Sequence, residues 1–261
     1  MSNLALAVRD SSTMLRRNLL HARRYPSLTL NLLLTPVMLL LLFVYVFGDT
    51  MSTGIGGGDR SDYIAYIVPG LLLMTIGSTT IGTAVSVSND MTEGIIARFR
   101  TMAIHRGSVL VGHVVGSVVQ SVLSVVLVGA VGVAIGFRSA DATALEWLAA
   151  FGLLVLFTLA LTWIAVGMGL VSPNAEAASN NAMPLIFLPL ISSAFVPVDS
   201  MPGWFQPIAE YQPFTPAIET LRGLLLGTEI GHNGWLALGW SVALTALGYF
   251  WATAKFNNDP K

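Results

Sequence analysis

Apolar residues fall into six long runs along this chain, at 28–48, 64–87, 112–136, 147–171, 177–198 and 234–254. Each reaches the roughly 20 residues that a helix needs to cross a hydrocarbon core of about 30 Å. The runs are continuous rather than alternating. Inside a bilayer every backbone amide must be satisfied within its own segment, so the pattern predicts membrane-spanning helices and not barrel strands. Three stretches between them carry a different pattern. Over residues 3–24, Leu4, Val8, Leu15 and Leu19 form one stripe while Arg9, Arg16 and Arg23 repeat on another face. That predicts an amphipathic helix lying on the membrane, with a solvated basic tail as the alternative. Tyr25-Pro26 ends it, because a residue before proline avoids the α region. Over 89–104, Asp90 with Glu93 three positions on can open a helix, and Met91, Ile95, Phe99 and Met102 then share a face. Over 201–228, four prolines punctuate two short stretches, 203–210 and 215–227, neither long enough to span. The predicted fold is therefore an all-α polytopic membrane domain covering 1–261. It has six transmembrane helices, an N-terminal interface helix, a short helix between spans two and three, and two short outer helices before span six.

Charge orients these spans. With the N-terminus inside, ten of the thirteen Lys and Arg residues face the cytoplasm, leaving Arg60, Arg138 and Arg222 outside. Basic residues held on the cytoplasmic side are the expected bias, and an even number of spans then places both termini inside. Only 10% of residues are charged and 54% are hydrophobic, which excludes an ordinary soluble domain. The net charge of −1 gives no reason to expect a nucleic-acid partner, and the basic N-terminal residues suit anionic lipid headgroups. There are no cysteines, so disulfides and Cys-based metal sites are excluded, and no metal site is expected.

Candidate chemistry is sparse. The glycines at 54–58 are not followed by Gly-Lys, and no G-x-x-x-x-G-K-[ST] motif occurs, so the chain holds no phosphate-cradling loop of its own. Span two is rich in hydroxyls, including Thr75, Thr79 and Thr83. Such residues let membrane helices pack closely, and a face lining a translocation path is the sharper alternative. Span five carries Pro184, Pro189 and Pro197, which predict kinks, with Ser192, Phe187 and Phe195 as candidates for a path wall. His113, near the cytoplasmic end of span three, reads as an interfacial side chain. Trp204 and Tyr211 fit an outer aromatic belt, with Pro213, Arg222 and Gly223 in the outer cap. The helix at 89–104, tethered between two spans, either rests on lipid or passes a push from a soluble partner into spans two and three.

The combination of FVYVFG at 43–48, YIVPG at 66–70, NDMTEGIIARFRTMAIHR at 89–106 and SMPGWFQPIAEYQPFTPAIETLRGLLLG at 200–227 resembles the permease subunit of type-2 ABC exporters, in the daunorubicin-resistance group. The resemblance covers nearly the whole chain. One departure is Ala103, where members of that family often have proline shortly after the RFR segment. The resemblance implies that 89–104 is a coupling helix docking on a separate nucleotide-binding subunit through Asp90, Glu93, Gly94, Arg98, Phe99 and Arg100. It also implies a second permease, a path at the subunit interface lined by spans one, two and five, and ATP with Mg held by the partner alone.

The expected function is thus a plasma-membrane export permease for an amphipathic small molecule such as a drug, antibiotic, lipid or secondary metabolite. No span has an ionisable residue near its middle, as an ion-coupled carrier usually needs. A membrane enzyme is the alternative of another class, but the four histidines are scattered near the two surfaces. An immunity or scaffold protein without a transport cycle is a third.

Overall fold

The computed structural model describes residues 26–48, 60–92, 106–139 and 142–258. The interface helix expected at 3–24 lies outside these residues. Helix α1 (Pro26–Leu42) runs into a π-helical turn, Phe43–Phe47. The long helices α2 (Arg60–Thr92), α3 (Arg106–Ile135) and α4 (Ala144–Val171) follow. Next come the short helices α5 (Ala175–Ala182), α6 (Pro184–Leu190), α7 (Gln206–Tyr211) and α8 (Phe214–Leu226). The last helix, α9, spans Asn233–Asn258.

Among the described residues, four helices are long and apolar enough to cross a membrane: α2, α3 from Leu110 on, α4 and α9. A shorter apolar helix covers Leu34–Phe47. The expected fifth span does not form one continuous helix to 198. Instead α5 and α6 meet at Met183, whose helical backbone makes the break a kink, and helical structure ends at Leu190. The cause is local. Pro184 and Pro189 each remove a backbone donor, so the ladder cannot be maintained through this run.

Helix starts follow their caps. α4 opens on a reciprocal pair in which the Glu146 N–H donates to Thr143 Oγ1 and the Thr143 N–H donates to Glu146 Oε2 at 2.6 Å. This places its first turn slightly before the apolar run. α5 opens on Asn174, whose Oδ1 accepts from the Ala177 N–H at 2.8 Å. α8 ends at Gly227, where φ of +74° demands a residue without a side chain. The two short helices expected at 203–210 and 215–227 are observed with small shifts, as α7 and α8.

α2 is the central post. It touches α1, α3, α4, α5, α6 and α8, and 78% of its apolar window is buried, against 28% for α3 and 22% for α9. The close approaches use glycine. A Cβ on Gly77 would strike the Leu185 carbonyl, and one on Gly70 would lie 2.7 Å from Ala194 Cα, so the kinked α5–α6 region lies directly on the α2 backbone. α9 packs on α4 and α8, and its outward face carries exposed Trp235, Val242, Leu247 and Phe250.

Candidate functional site

Polar side chains gather at two places along α2. The first is near its Arg60 end, where the backbone after α6 turns irregular over 191–197. An irregular backbone away from water is tolerated only where protein groups satisfy its donors and acceptors. Here they do. The Ser193 carbonyl accepts from Tyr66 Oη at 2.9 Å and from an Arg222 guanidinium nitrogen at 3.1 Å. The Ser193 N–H donates to Thr215 Oγ1 at 3.2 Å, and that hydroxyl donates to the Ala209 carbonyl. Gln212 Nε2 donates to Thr215 Oγ1 at 3.2 Å, and Ser192 Oγ accepts from the Ala194 N–H.

Arg222 is the hub of this junction. It is 6% exposed, although it stands on a short helix near the Arg60 end. Its guanidinium donates to Glu219 Oε1 at 2.6 Å, to the Tyr66 carbonyl and to the Ser193 carbonyl, and it stacks 4.0 Å from the Tyr66 ring centroid. It thereby ties α2, the irregular segment and α8 together with a planar fork that lysine could not reproduce. A polar cleft of about 430 Å³ opens beside it, lined by Asp199, Gln206, Glu210, Glu219 and Asn233 among others. Gly223, the next residue, has no space for a side chain because Ile230 and the Thr228 carbonyl crowd it. Pro213 precedes α8 with φ of −59°, already set for the helix that follows. Trp204 is 77% exposed, and Tyr211 is exposed too.

The expected path residues divide. Thr75, Thr79, Thr83 and Ser192 are buried inside this one chain. Thr75 donates back to the Leu71 carbonyl of its own helix at 2.7 Å, whereas Thr79 meets Ser121 of α3 across 2.6 Å and so joins two helices. Ser192 Oγ donates to the Pro189 carbonyl. Phe187, by contrast, is 56% exposed. Phe195 stacks on Phe43 of the π-helical turn, with ring centroids 4.6 Å apart, which brings the end of α1 onto the irregular segment.

The second polar place is the Thr92 end of α2. Asp90, expected to open a separate helix, instead lies inside the last turn of α2. The helix continues because the Thr92 hydroxyl bonds back to the Ser88 and Asn89 carbonyls, while the Asp90 carboxylate turns across to α3. There His113 Nε2 lies 3.0 Å from Asp90 Oδ2, and both residues are buried. His113 is thus a buried side chain paired across α2 and α3. Glu93, Gly94, Arg98, Phe99 and Arg100 lie outside the described residues. Tyr66, Gln212 and Thr215 were not singled out from the sequence. Gln212 and Thr215 carry a weak signal, as polar residues beside Pro213 and Pro216, and Tyr66 stands only as the first residue of the YIVPG motif.

A family model, ABC-2 type transporter, matches residues 10–226. The chain belongs to the ABC-2 type transporter family. It is 29% identical over 247 residues to the daunorubicin resistance ABC transporter permease protein DrrB1 of Streptomyces coeruleorubidus, covering 93% of this chain and 84% of that protein. It is 24% identical over 169 residues to the probable doxorubicin resistance ABC transporter permease protein DrrC of Mycobacterium tuberculosis, covering 63% of this chain and 59% of that protein. Nodulation protein J of Rhizobium meliloti is 24% identical over 233 residues, 82% of this chain and 81% of that protein. An ABC-2 chain of this kind is a multi-pass membrane permease subunit and not an enzyme, and it works within a system that has an ATP-binding partner.

Proposed function

We propose that this ABC-2 permease exports an amphipathic small molecule, of the drug, antibiotic, lipid or secondary-metabolite type, across the plasma membrane. The observation that carries the reading is the family match across residues 10–226, together with relatives named as daunorubicin- and doxorubicin-resistance permeases. The chain contains no phosphate-binding loop, so a separate nucleotide-binding subunit holds ATP and Mg and supplies the energy. In this reading both termini are cytoplasmic, the Thr92 end of α2 is the inner end, and α7 and α8 cap the outer side. The segment carrying Glu93, Gly94, Arg98, Phe99 and Arg100 docks on the ATP-binding subunit. Nucleotide binding there shifts the permease between inward-open and outward-open populations.

A second permease copy or paralogue completes the path. Its contact face is supported by the exposed apolar side of α1, with Leu34 and Met38, and by Met183, Phe187 and Leu190 of the kinked region. An exposed apolar face of that extent suits a partner helix or lipid, and the Phe43–Phe195 contact makes the two parts continuous. The cargo passes along this seam, with the exposed Phe187 as its aromatic wall and the buried Phe195 packed behind it. The deciding experiment uses inside-out vesicles holding the permease with or without its ATP-binding subunit. ATP-dependent uptake of a fluorescent amphipath is expected only with both chains. Uphill uptake by the permease alone would end this reading. Glu93→Ala and Arg98→Ala are expected to lose binding of the ATP-binding subunit, or its coupling, while still inserting.

A further inference from the structure

α2 ends at Thr92 and α3 begins at Arg106, so residues 93–105 join the ends of two neighbouring helices. The Asp90–His113 pair bridges those ends at 3.0 Å. Asp90 is 7% exposed and His113 4%. They sit beside a compact apolar cluster that includes Val87, Leu110, Val114, Trp163, Val166 and Phe256. A carboxylate in such surroundings is costly unless it is paired, and an apolar pair of similar volume commonly packs as well or better. Packing strength therefore does not account for this pair. What it adds is direction, because a hydrogen-bonded pair fixes one relative position of its two helices, whereas apolar side chains permit sliding.

A second polar contact joins the same two helices further along, between Thr79 and Ser121 at 2.6 Å. The two contacts are in antiparallel register, since the higher number on α2 meets the lower number on α3. Helices fixed at two separated points can neither slide nor rotate against each other. Beyond Thr79–Ser121 the contact is softer, with Gly129 and Gly132 of α3 against the Leu72 and Val68 side chains.

We propose that Asp90 and His113 are positioning residues, a clamp that makes the joined ends of α2 and α3 move as one body when the 93–105 segment is pushed. This rests on the reading of that segment as the docking point. Without the clamp, a push would spread the two helix ends apart locally and would not reach the Tyr66–Arg222 junction.

The test uses the complete transporter in vesicles and reads molecules transported per ATP hydrolysed, normalised to assembled complex. His113→Asn is expected to lower that ratio roughly tenfold, within the range usual for coupling between sites. The exchange Asp90→His with His113→Asp is expected to recover most of it, which a loss of bulk or stability would not allow. Because the chain has no cysteine, Asp90→Cys with His113→Cys can be joined by a short thiol cross-linker. The cross-linked protein is expected to regain the ratio that the uncross-linked double variant lacks. This arm decides even if the single variant assembles poorly. A cross-link that stops transport would show that the ends must separate and would overturn the clamp, as would an unchanged ratio in His113→Asn. Failure of the docking reading looks different: Glu93→Ala and Arg98→Ala would then both bind the ATP-binding subunit and transport normally. The clamp as stated falls with that outcome.

Discussion

Arg222 shows what one side chain can hold in place. Replacing it with methionine leaves the Ser193 and Tyr66 carbonyls each short of a donor and the Glu219 carboxylate without its partner. Losing the bonds from a charged donor, while the Ser193 carbonyl keeps the Tyr66 hydroxyl, is expected to cost about 2 kcal/mol, read as a lower unfolding temperature in detergent. Arg222→Lys keeps the charge but loses the fork, and is expected to recover only part of the loss. Adding Glu219→Gln to Arg222→Met should soften the defect, since the stranded carboxylate is then neutral. A fully stable Arg222→Met would contradict the hub. The sequence placed Arg222 in the outer cap on charge alone. Its burial was not legible there, because that depends on Tyr66 and Ser193, 156 and 29 residues away.

At the scale of elements, close helix contacts make sharper predictions than composition does. Gly77→Val would drive a branched side chain into the Leu185 carbonyl and push the kinked region off α2. Gly152→Val has open space around it and serves as the matched control. The expected result is loss of a monodisperse, folded species on size-exclusion chromatography for Gly77→Val only. Thr143→Ala removes the cap of α4 and is expected to cost about 1 kcal/mol, seen as a modest drop in unfolding temperature. The long helices α2, α3, α4 and α9 were readable because hydrophobic runs of that length leave the backbone one solution. The α7–α8 pair was readable from its prolines. Glycine recurs along these helices, yet a Cβ would strike a neighbour at Gly70, Gly77, Gly169 and Gly248 and meet only open space at Gly152 and Gly239. Spacing reports that a small residue is present but not which neighbour comes close. The end of span two was misread for a similar reason. Asp90 suits a helix cap locally, but its carboxylate is taken by His113 of α3 and the Thr92 hydroxyl bonds back into α2, which runs on to Thr92.

For the whole molecule, the proposed orientation predicts which surface each end meets. Trp204→Cys in this cysteine-free chain is expected to react with an impermeant maleimide added to intact cells, and Lys255→Cys only after permeabilisation. Reversed labelling would invert the topology. Phe187→Cys is expected to cross-link two permease copies in membranes if the seam lies where the exposed face of α1 and the kinked region meet. Failure to cross-link alongside efficient export would move the pairing face elsewhere.

α2 has 33 residues and is roughly 50 Å long, well over the thickness of the lipid interior. Its two polar attachments, at Tyr66 and Asp90, stand roughly 36 Å apart along the axis. If α2 turns about its glycine-lined middle, where Gly77 meets the Leu185 carbonyl, the rod becomes a seesaw. In the proposed orientation a small inward tilt at one tip would become an opposite swing at the other, so a motor on the cytoplasmic face would unlatch the extracellular mouth without any helix having to melt.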